Sequence, residues 1–511
     1  MARWEIELPD EDATAALARR VKTLVRAGDL VTLSGDLGAG KTTLARALIR
    51  LLADDPELEV PSPTFTLMQI YDGTQFPIVH ADLYRIKSAG ELAELGWDEA
   101  ADGALVLVEW AERASDELPE DRLDIALRLD PARGDSSRAA VLTGSGSFGP
   151  RLALAKALDA LLESVGWTDA RRSFMQGDAS TRAYERLEMP DGRRTILMIS
   201  PRRADGPPVR FGKPYSAIAR LAEDVTPFIA VDRALITQGF SAPDIYAVDR
   251  EAGLVLLEDL GGETIVDADG PIPDRYAAAT AVLAAMHAAP RSDIIDDEPE
   301  PYAIPPYDID ALSIEVELLV DWYAPHIARV SLSSGARATF VSLWREVLAE
   351  IVEAPPTWTL RDYHSPNLLW LEQRDGLRKV GILDFQDCVM GHPAYDVASL
   401  LQDARVTVPD RLEMRLLGDY LRLRRENDPG FDIAAFARAY AIMGAQRATK
   451  ILGIFARLDK RDRKPQYLAH LPRIRHYLAK DLAHPALAPI RDWVETNLPD
   501  LLIAQDRGAA S

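Results

Sequence analysis

The sequence predicts an α/β domain followed by an α+β domain made of a small sheet-bearing lobe and a larger helical lobe. Three observations predict it. Strand-like apolar runs alternate with helical patterns over about the first 150 residues, a Gly/Ser stretch interrupts the chain at 144–149, and two hairpin signals with long helical patterns follow. At 511 residues the chain is too long for one core, since a domain usually takes roughly 100 to 200 residues.

In chain order, strand-like runs fall at 30–34, 77–80 and 104–109, with a helical pattern at 42–52. Two more runs, 123–129 and 138–142, precede the Gly/Ser stretch and a helical pattern at 152–162. The expected division is a first domain over 1–155, a linker at 156–170 and a second domain over 171–505, its small lobe ending near 262. Runs at 183–187 and 195–199 flank Asp191-Gly192, a hairpin signal, and a second pair flanks Asp375-Gly376. Helical patterns at 275–287, 338–351 and 436–458 supply the larger lobe.

Composition excludes several classes. Hydrophobic residues at 47% and charged residues at 27% give a globular chain, not a fibrous or disordered one. Asp and Glu number 80 against 58 Lys and Arg, a net charge of −22, so the surface repels phosphate backbones and anionic lipids. Direct nucleic-acid or membrane binding is therefore not expected. The single cysteine, Cys388, rules out an internal disulfide and a Cys-rich zinc site. With no apolar leader in 1–17 and no run of about 18 apolar residues, a cytoplasmic location is expected.

Residues 35–42 read GDLGAGKT, the G-x-x-x-x-G-K-[ST] pattern of a P-loop, set between an apolar strand and a helix. Gly35, Gly38 and Gly40 allow backbone N–H groups to curve around ATP phosphates, with Thr43 beside them. Lys41 can reach the same oxygens, and the Thr42 hydroxyl can bind Mg²⁺. Such a site needs acids at neighbouring strand ends; Glu109 and Asp82 are placed there, and either could hold the metal or orient the attacking water. Thr64 and Thr66 lie in the Pro-punctuated loop PSPTFT, where a hydroxyl could sense the γ-phosphate.

The ordered motifs GDLGAGKTT, SPTFTL, HADLYR, ELGWDE and VEWAER resemble the TsaE family of bacterial ATPases over about the first 150 residues. The resemblance implies an ATPase subunit of the protein complex that makes threonylcarbamoyladenosine beside the anticodon of certain tRNAs. It carries the phosphate and Mg²⁺ roles to Lys41 and Thr42, the switch threonine to Thr64, the acidic roles to Asp82 and Glu109, and the ATP-site tryptophan to Trp110.

A second chemical signature begins at 361–367, RDYHSPN, where Asp362 and Asn367 have the D-x-x-x-x-N spacing of a kinase catalytic loop. After the second hairpin signal comes LDFQD, which places Asp384 as a metal-binding aspartate. Phosphoryl transfer needs positioning and charge neutralisation, so Asp362 is expected to accept the hydroxyl proton while Asn367 and Asp384 hold Mg²⁺. Asp387 reads as an exposed carboxylate or an extra ligand, Asp396 as a helix N-cap, and His364 as a local hydrogen-bonding residue.

Upstream, GDASTR at 177–182 offers a phosphate-covering loop with Ser180 and Arg182, and LVLLEDLG at 254–261 a strand leading to an adenine-binding hinge near Glu258 and Leu260. Met198 stands where a kinase lysine is expected, leaving Arg182 and Arg202 as candidates to meet the α- and β-phosphates.

Residues from about 170 to 505 resemble the aminoglycoside phosphotransferase superfamily, which implies a bilobal protein-kinase-like fold. DASTRAY, LLEDLG, RDYHSPNLLWL, ILDFQDCVMGHPAYDVASLL and QRATKILGIFARL most resemble the AmgK family within it, implying phosphorylation of the anomeric hydroxyl of N-acetylmuramate or N-acetylglucosamine in peptidoglycan recycling. Leu360, in place of the kinase histidine, departs from the general pattern. Arg447 and Lys450 lie three apart on one helical face, where they could meet a substrate carboxylate or simply be solvated. Kinases of aminoglycosides, choline-like alcohols or homoserine share these motifs, as would a nucleotide-binding pseudokinase that regulates the ATPase.

Overall fold

The structure, a computed structural model, describes residues 1–86, 97–114, 117–130, 134, 137–175, 182–202, 206–288, 291–296 and 299–502. It divides into two compact units, Met1–Asp169 and Ala170–Ser511.

The first unit is a seven-stranded sheet covered by helices. Its strands are β1 (Ala2–Leu8), β2 (Leu30–Ser34), β3 (Met68–Tyr71), β4 (Ile78–Asp82), β5 (Leu105–Glu109), β6 (Leu123–Leu129) and β7 (Arg138–Gly144), in the order β1-β7-β6-β2-β5-β4-β3. β2, β4, β5 and β6 run parallel, β3 and β7 run antiparallel to them at the two sides, and β1 pairs antiparallel with β7 at the edge. LVTLS and LVLVE are mostly apolar and buried along their length because both sheet faces are covered. Helices α1 (Glu11–Leu24), α2 (Lys41–Ala53) and α3 (Phe148–Ser164) set Leu17, Leu44, Leu48 and Phe148 against Val31, Leu33, Leu105 and Leu107. A second cluster with Val79, Val106, Val108 and Leu118 forms elsewhere in the unit.

Parallel strands converge at their C-terminal ends, the usual place for a ligand crevice. Asp82 pairs with Glu109 and Glu109 with Leu33, so both acids sit in one row beside the loop after β2. Sequence periodicity did not mark β1, where Trp4, Ile6 and Leu8 alternate with acids, nor the four-residue β3. α3 continues through the first part of the segment expected to be a linker and buries Leu158, Leu161 and Leu162.

In the second unit, β8 (Arg171–Met175), β9 (Ala183–Glu188), β10 (Arg194–Ile199), β11 (Ile245–Asp249) and β12 (Leu254–Glu258) form an antiparallel sheet ordered β11-β12-β10-β9-β8. Helix α4 (Thr226–Thr237) adds Phe228, whose ring stacks 4.9 Å from that of Phe385. The helical lobe contains α5 (Pro273–Met286), α6 (Ile309–Leu318), α7 (Ser334–Glu353), α8 (Ala394–Leu401), α9 (Asp410–Asn427), α10 (Ile433–Lys460), α11 (Leu471–Leu482) and α12 (Ala488–Asn497). Short ladders pair β13 (Thr357–Thr359) with β16 (Val389–Gly391) and β14 (Leu368–Trp370) with β15 (Val380–Ile382). These ladders hold the two catalytic motifs. One core containing Phe228, Tyr276, Trp344, Phe385 and Leu452 runs through both lobes.

Candidate active sites

In the first unit the chain leaves β2 into the glycine loop. Gly35 has φ 133°, and a Cβ there would lie 2.2 Å from the Leu127 carbonyl oxygen, so no larger residue fits. Gly40, also at positive φ, caps α2, whose first N–H groups suit an anion. Lys41 Nζ donates to the carbonyls of Gly35 (2.7 Å) and Asp36 (3.0 Å) and lies 3.6 Å above the Trp110 ring. Burial lowers the Lys41 pKa despite opposing charge from Glu109, Glu112, Asp82 and Asp36.

The acids have different companions. Thr42 Oγ1 donates to Glu109 Oε2 at 2.8 Å, and the imidazole of His80 donates through Nε2 to Glu109 Oε1 at 2.9 Å. Asp82 accepts from Ser62 Oγ (2.6 Å), Thr64 Oγ1 (2.8 Å) and the Tyr84 N–H (2.9 Å). Glu109 thus attends the glycine loop and Asp82 the loop at 61–66. Thr43 and Thr66 are exposed. A hydroxyl and carboxylates are hard oxygen donors of the kind that fit Mg²⁺, and Thr42 and Glu109, with Asp82 on the neighbouring strand, would hold it.

His80 and Ser62 were not assigned roles from sequence. A signal existed for His80: residues two apart on a strand share a face, so His80 and Asp82 point the same way.

The second site is built where β13 ends. Leu360 and Arg361 donate their N–H groups to Asp396 at 2.6 and 2.9 Å, fixing the start of the catalytic loop. Asn367 Nδ2 donates to the Asp362 carbonyl (2.9 Å) and reaches Asp384 Oδ2 at 3.4 Å. Asp384 has φ 58°, and its Oδ1 accepts from Arg182 (2.8 Å) and Gln386 (2.9 Å). With its amide nitrogen committed, Asn367 has its carbonyl oxygen to offer beside the Asp384 carboxylate, a pair that fits Mg²⁺. The ion would neutralise charge on ATP phosphates; Asp362 is the group suited to take a hydroxyl proton. Burial pushes the Asp362 carboxyl up, but His364, Lys450, Arg361 and Arg447 outweigh it and hold the carboxyl below its ordinary range.

Several expectations are refined. Asp396 is not an N-cap: Pro393 occupies that position, the helix starts earlier, and the carboxylate instead ties down the catalytic loop. Burial pushes its pKa up to about 7. Asp387 is half-buried rather than exposed and accepts from the Ala222 N–H at 2.7 Å. His364 makes the expected local contact, Nδ1 to the Asp362 carbonyl at 2.8 Å.

Met198 is wholly buried in the core. Arg182 reaches Asp384, whereas Arg202 is exposed. The Glu258 side chain pairs with Arg374 at 2.7 Å, and Leu260 approaches Gly381. Arg447 is 5% exposed and makes no hydrogen bond or ion pair among the described residues. Lys450 instead pairs with Glu315 at 2.9 Å. Ser180, with the rest of 176–181, and Glu94, Leu95 and Gly96 of ELGWDE lie outside the described residues.

A family model described as the phosphotransferase enzyme family matches residues 172–440, more than half of the chain, and one described as threonylcarbamoyl adenosine biosynthesis protein TsaE matches residues 8–138. The chain belongs to both families, one in each unit. Among relatives of the phosphotransferase unit, the N-acetylmuramate/N-acetylglucosamine kinase of Caulobacter vibrioides is 38% identical over 352 residues, covering 66% of this chain and 95% of its own. The kinase of the same description from Pseudomonas aeruginosa is 31% identical, covering 65% and 91%. For the TsaE unit, the tRNA threonylcarbamoyladenosine biosynthesis protein TsaE of Streptomyces coelicolor is 43% identical over 136 residues, covering 25% of this chain and 89% of its own. The chain is therefore an enzyme with a P-loop ATPase unit and a phosphotransferase unit that uses an alcohol acceptor. Among the described residues no helix is long and apolar enough to cross a membrane.

Proposed function

We propose that the chain is a bifunctional cytoplasmic enzyme. Its first part, within 1–155, serves as the ATPase subunit for tRNA threonylcarbamoyladenosine formation, working with the other protein subunits of that complex rather than gripping nucleic acid. Its second part, within 171–505, transfers the γ-phosphate of ATP to the anomeric hydroxyl of N-acetylmuramate or N-acetylglucosamine in peptidoglycan recycling. Both use ATP and Mg²⁺.

The observation that carries the sugar reading is the buried Arg447, which has no partner among the described residues and is one of the cations that hold Asp362 ionised. A cation beside the base suits an acceptor bearing a carboxylate, as the lactyl group of muramate does. It opposes a polycationic aminoglycoside. Relatives named for the same two sugars across most of their length support it. Arg182, paired with Asp384, is the cation suited to ATP phosphates in place of the lysine.

A pseudokinase that regulates the ATPase is the second reading, favoured by the buried Met198 at the lysine position. The test is ATP consumption by the Lys41→Ala chain with a panel of amino sugars, aminoglycosides and small alcohols, with phosphorus NMR of the product. A sugar 1-phosphate is expected. A 6-phosphate, or turnover only with aminoglycosides, rules out the anomeric reading, and no acceptor-dependent turnover at all favours the pseudokinase.

A further inference from the structure

Arg447 and Lys450 lie on one face of α10, yet the structure surrounds them differently. Lys450 Nζ donates to Glu315 Oε1 at 2.9 Å and to Tyr395 Oη at 3.1 Å. Glu315 is fully buried and also accepts from Arg361, from Tyr307 Oη (2.5 Å) and from Gln446 Nε2 (3.1 Å). This contact follows from helix packing. A Cβ on Gly453 would lie 2.3 Å from the Leu318 carbonyl carbon, and three residues earlier on each helix stand Lys450 and Glu315.

Arg361 immediately precedes Asp362 and has φ 70°, a strained backbone state for a non-glycine residue that persists only where its surroundings enforce it. They do. Its N–H donates to Asp396, its carbonyl accepts from Ser399 Oγ at 3.2 Å, and its guanidinium donates to Glu315 and to the carbonyls of Ala219 (3.0 Å) and Arg220 (3.3 Å). Glu315 is thus the shared counter-charge of the buried Arg361, adjacent to the catalytic base, and the half-buried Lys450. Removing one partner of such a buried group leaves uncompensated charge that must move or take up water.

We propose that Lys450 is a positioning residue rather than a substrate ligand. Through Glu315 it fixes Arg361, and so the backbone that presents Asp362, leaving Arg447 to meet the acidic group of the acceptor. The proposal rests on Asp362 being the base, but not on which sugar is the acceptor.

The test is steady-state kinetics of the full chain in the Lys41→Ala background, comparing Lys450→Met, Lys450→Arg, Glu315→Gln and the Lys450→Met/Glu315→Gln pair. N-acetylmuramate and N-acetylglucosamine are tried first, and the ratios are read on whichever acceptor is phosphorylated, so a wrong sugar does not disturb the comparison. Displacing a reacting group by about 1 Å can cost ~10²-fold, so Lys450→Met is expected to lower kcat about 10- to 100-fold while the acceptor KM stays within about two-fold. Lys450→Arg should recover most of that rate, and the double variant should be no slower than Glu315→Gln alone. An acceptor KM raised about tenfold in Lys450→Met at full kcat, or losses that multiply in the double variant, overturns the proposal. Should Lys450→Met fail to fold, Lys450→Arg decides: an unchanged acceptor KM supports positioning, and a KM raised about tenfold overturns it.

Discussion

The two sites hold their acids in opposite ways. In the first unit each candidate carboxylate is satisfied by hydrogen bonds, Glu109 by Thr42 and His80, Asp82 by Ser62, Thr64 and the Tyr84 N–H. In the second, the Asp362 carboxylate makes no hydrogen bond among the described residues and is kept ionised by surrounding cations. A site of the first kind must exchange hydrogen bonds when nucleotide and metal arrive, because Thr42 and Lys41 are already engaged. That fits an ATPase that turns over slowly until a partner completes it. A site of the second kind has its base unencumbered, and specificity falls to the cations around it.

The largest effect that tests this contrast is Asp362→Asn. Loss of a general base typically costs ~10² to 10⁴ in rate, so acceptor phosphorylation should fall by that much while ATP and sugar still bind. Asp384→Ala should instead lose Mg²⁺-dependent nucleotide binding, measured by titration with and without the metal. A smaller, substrate-specific effect is expected of Arg447→Met. Losing a hydrogen bond to a charged group costs about 1.5–3 kcal/mol, so KM for N-acetylmuramate should rise about 10- to 100-fold while N-acetylglucosamine is nearly unaffected. Equal losses on both sugars would mean Arg447 serves the base and not the carboxylate.

In the first unit, His80→Phe should slow ATP turnover about tenfold or more, since Glu109 loses the partner that orients one of its oxygens. Unchanged turnover would show that Thr42 alone suffices.

The smallest effect concerns a carboxylate with neither kind of support. Asp232 is fully buried, neither oxygen has a hydrogen-bond partner among the described residues, and burial pushes its pKa up to about 8. A carboxyl raised above its unfolded value contributes stability at low pH that is lost as pH rises from about 4 to about 8. Thermal unfolding of the second unit should weaken across that window, and Asp232→Asn should flatten the change. A wild-type curve already flat there would show that water or a shifted neighbour satisfies the carboxyl.

The parts of both sites that are contiguous in sequence were legible there. GDLGAGKT and RDYHSPN carry their spacing in a few residues, and the strands leading to Gly35 and Glu109 are mostly apolar. What was not legible depends on distant pairing. Glu315 lies in the segment IEVEL, and its two cations come from far along the chain, Lys450 by the approach of α10 at Gly453 and Arg361 from the loop after β13. Asp396 read as a cap because an apolar run follows it; the two N–H groups it holds are 35 and 36 residues away. His80 and Glu109 meet only through the β4–β5 register.

If one chain carries two chemistries at two nucleotide sites, single substitutions should separate them. Sugar 1-phosphate formation and acceptor-independent ATP hydrolysis are assayed side by side in Lys41→Ala and Asp362→Asn full-length chains. Lys41→Ala should lose the hydrolysis and keep sugar phosphorylation, and Asp362→Asn should do the reverse. A stable Lys41→Ala protein that has lost both activities would contradict that separation.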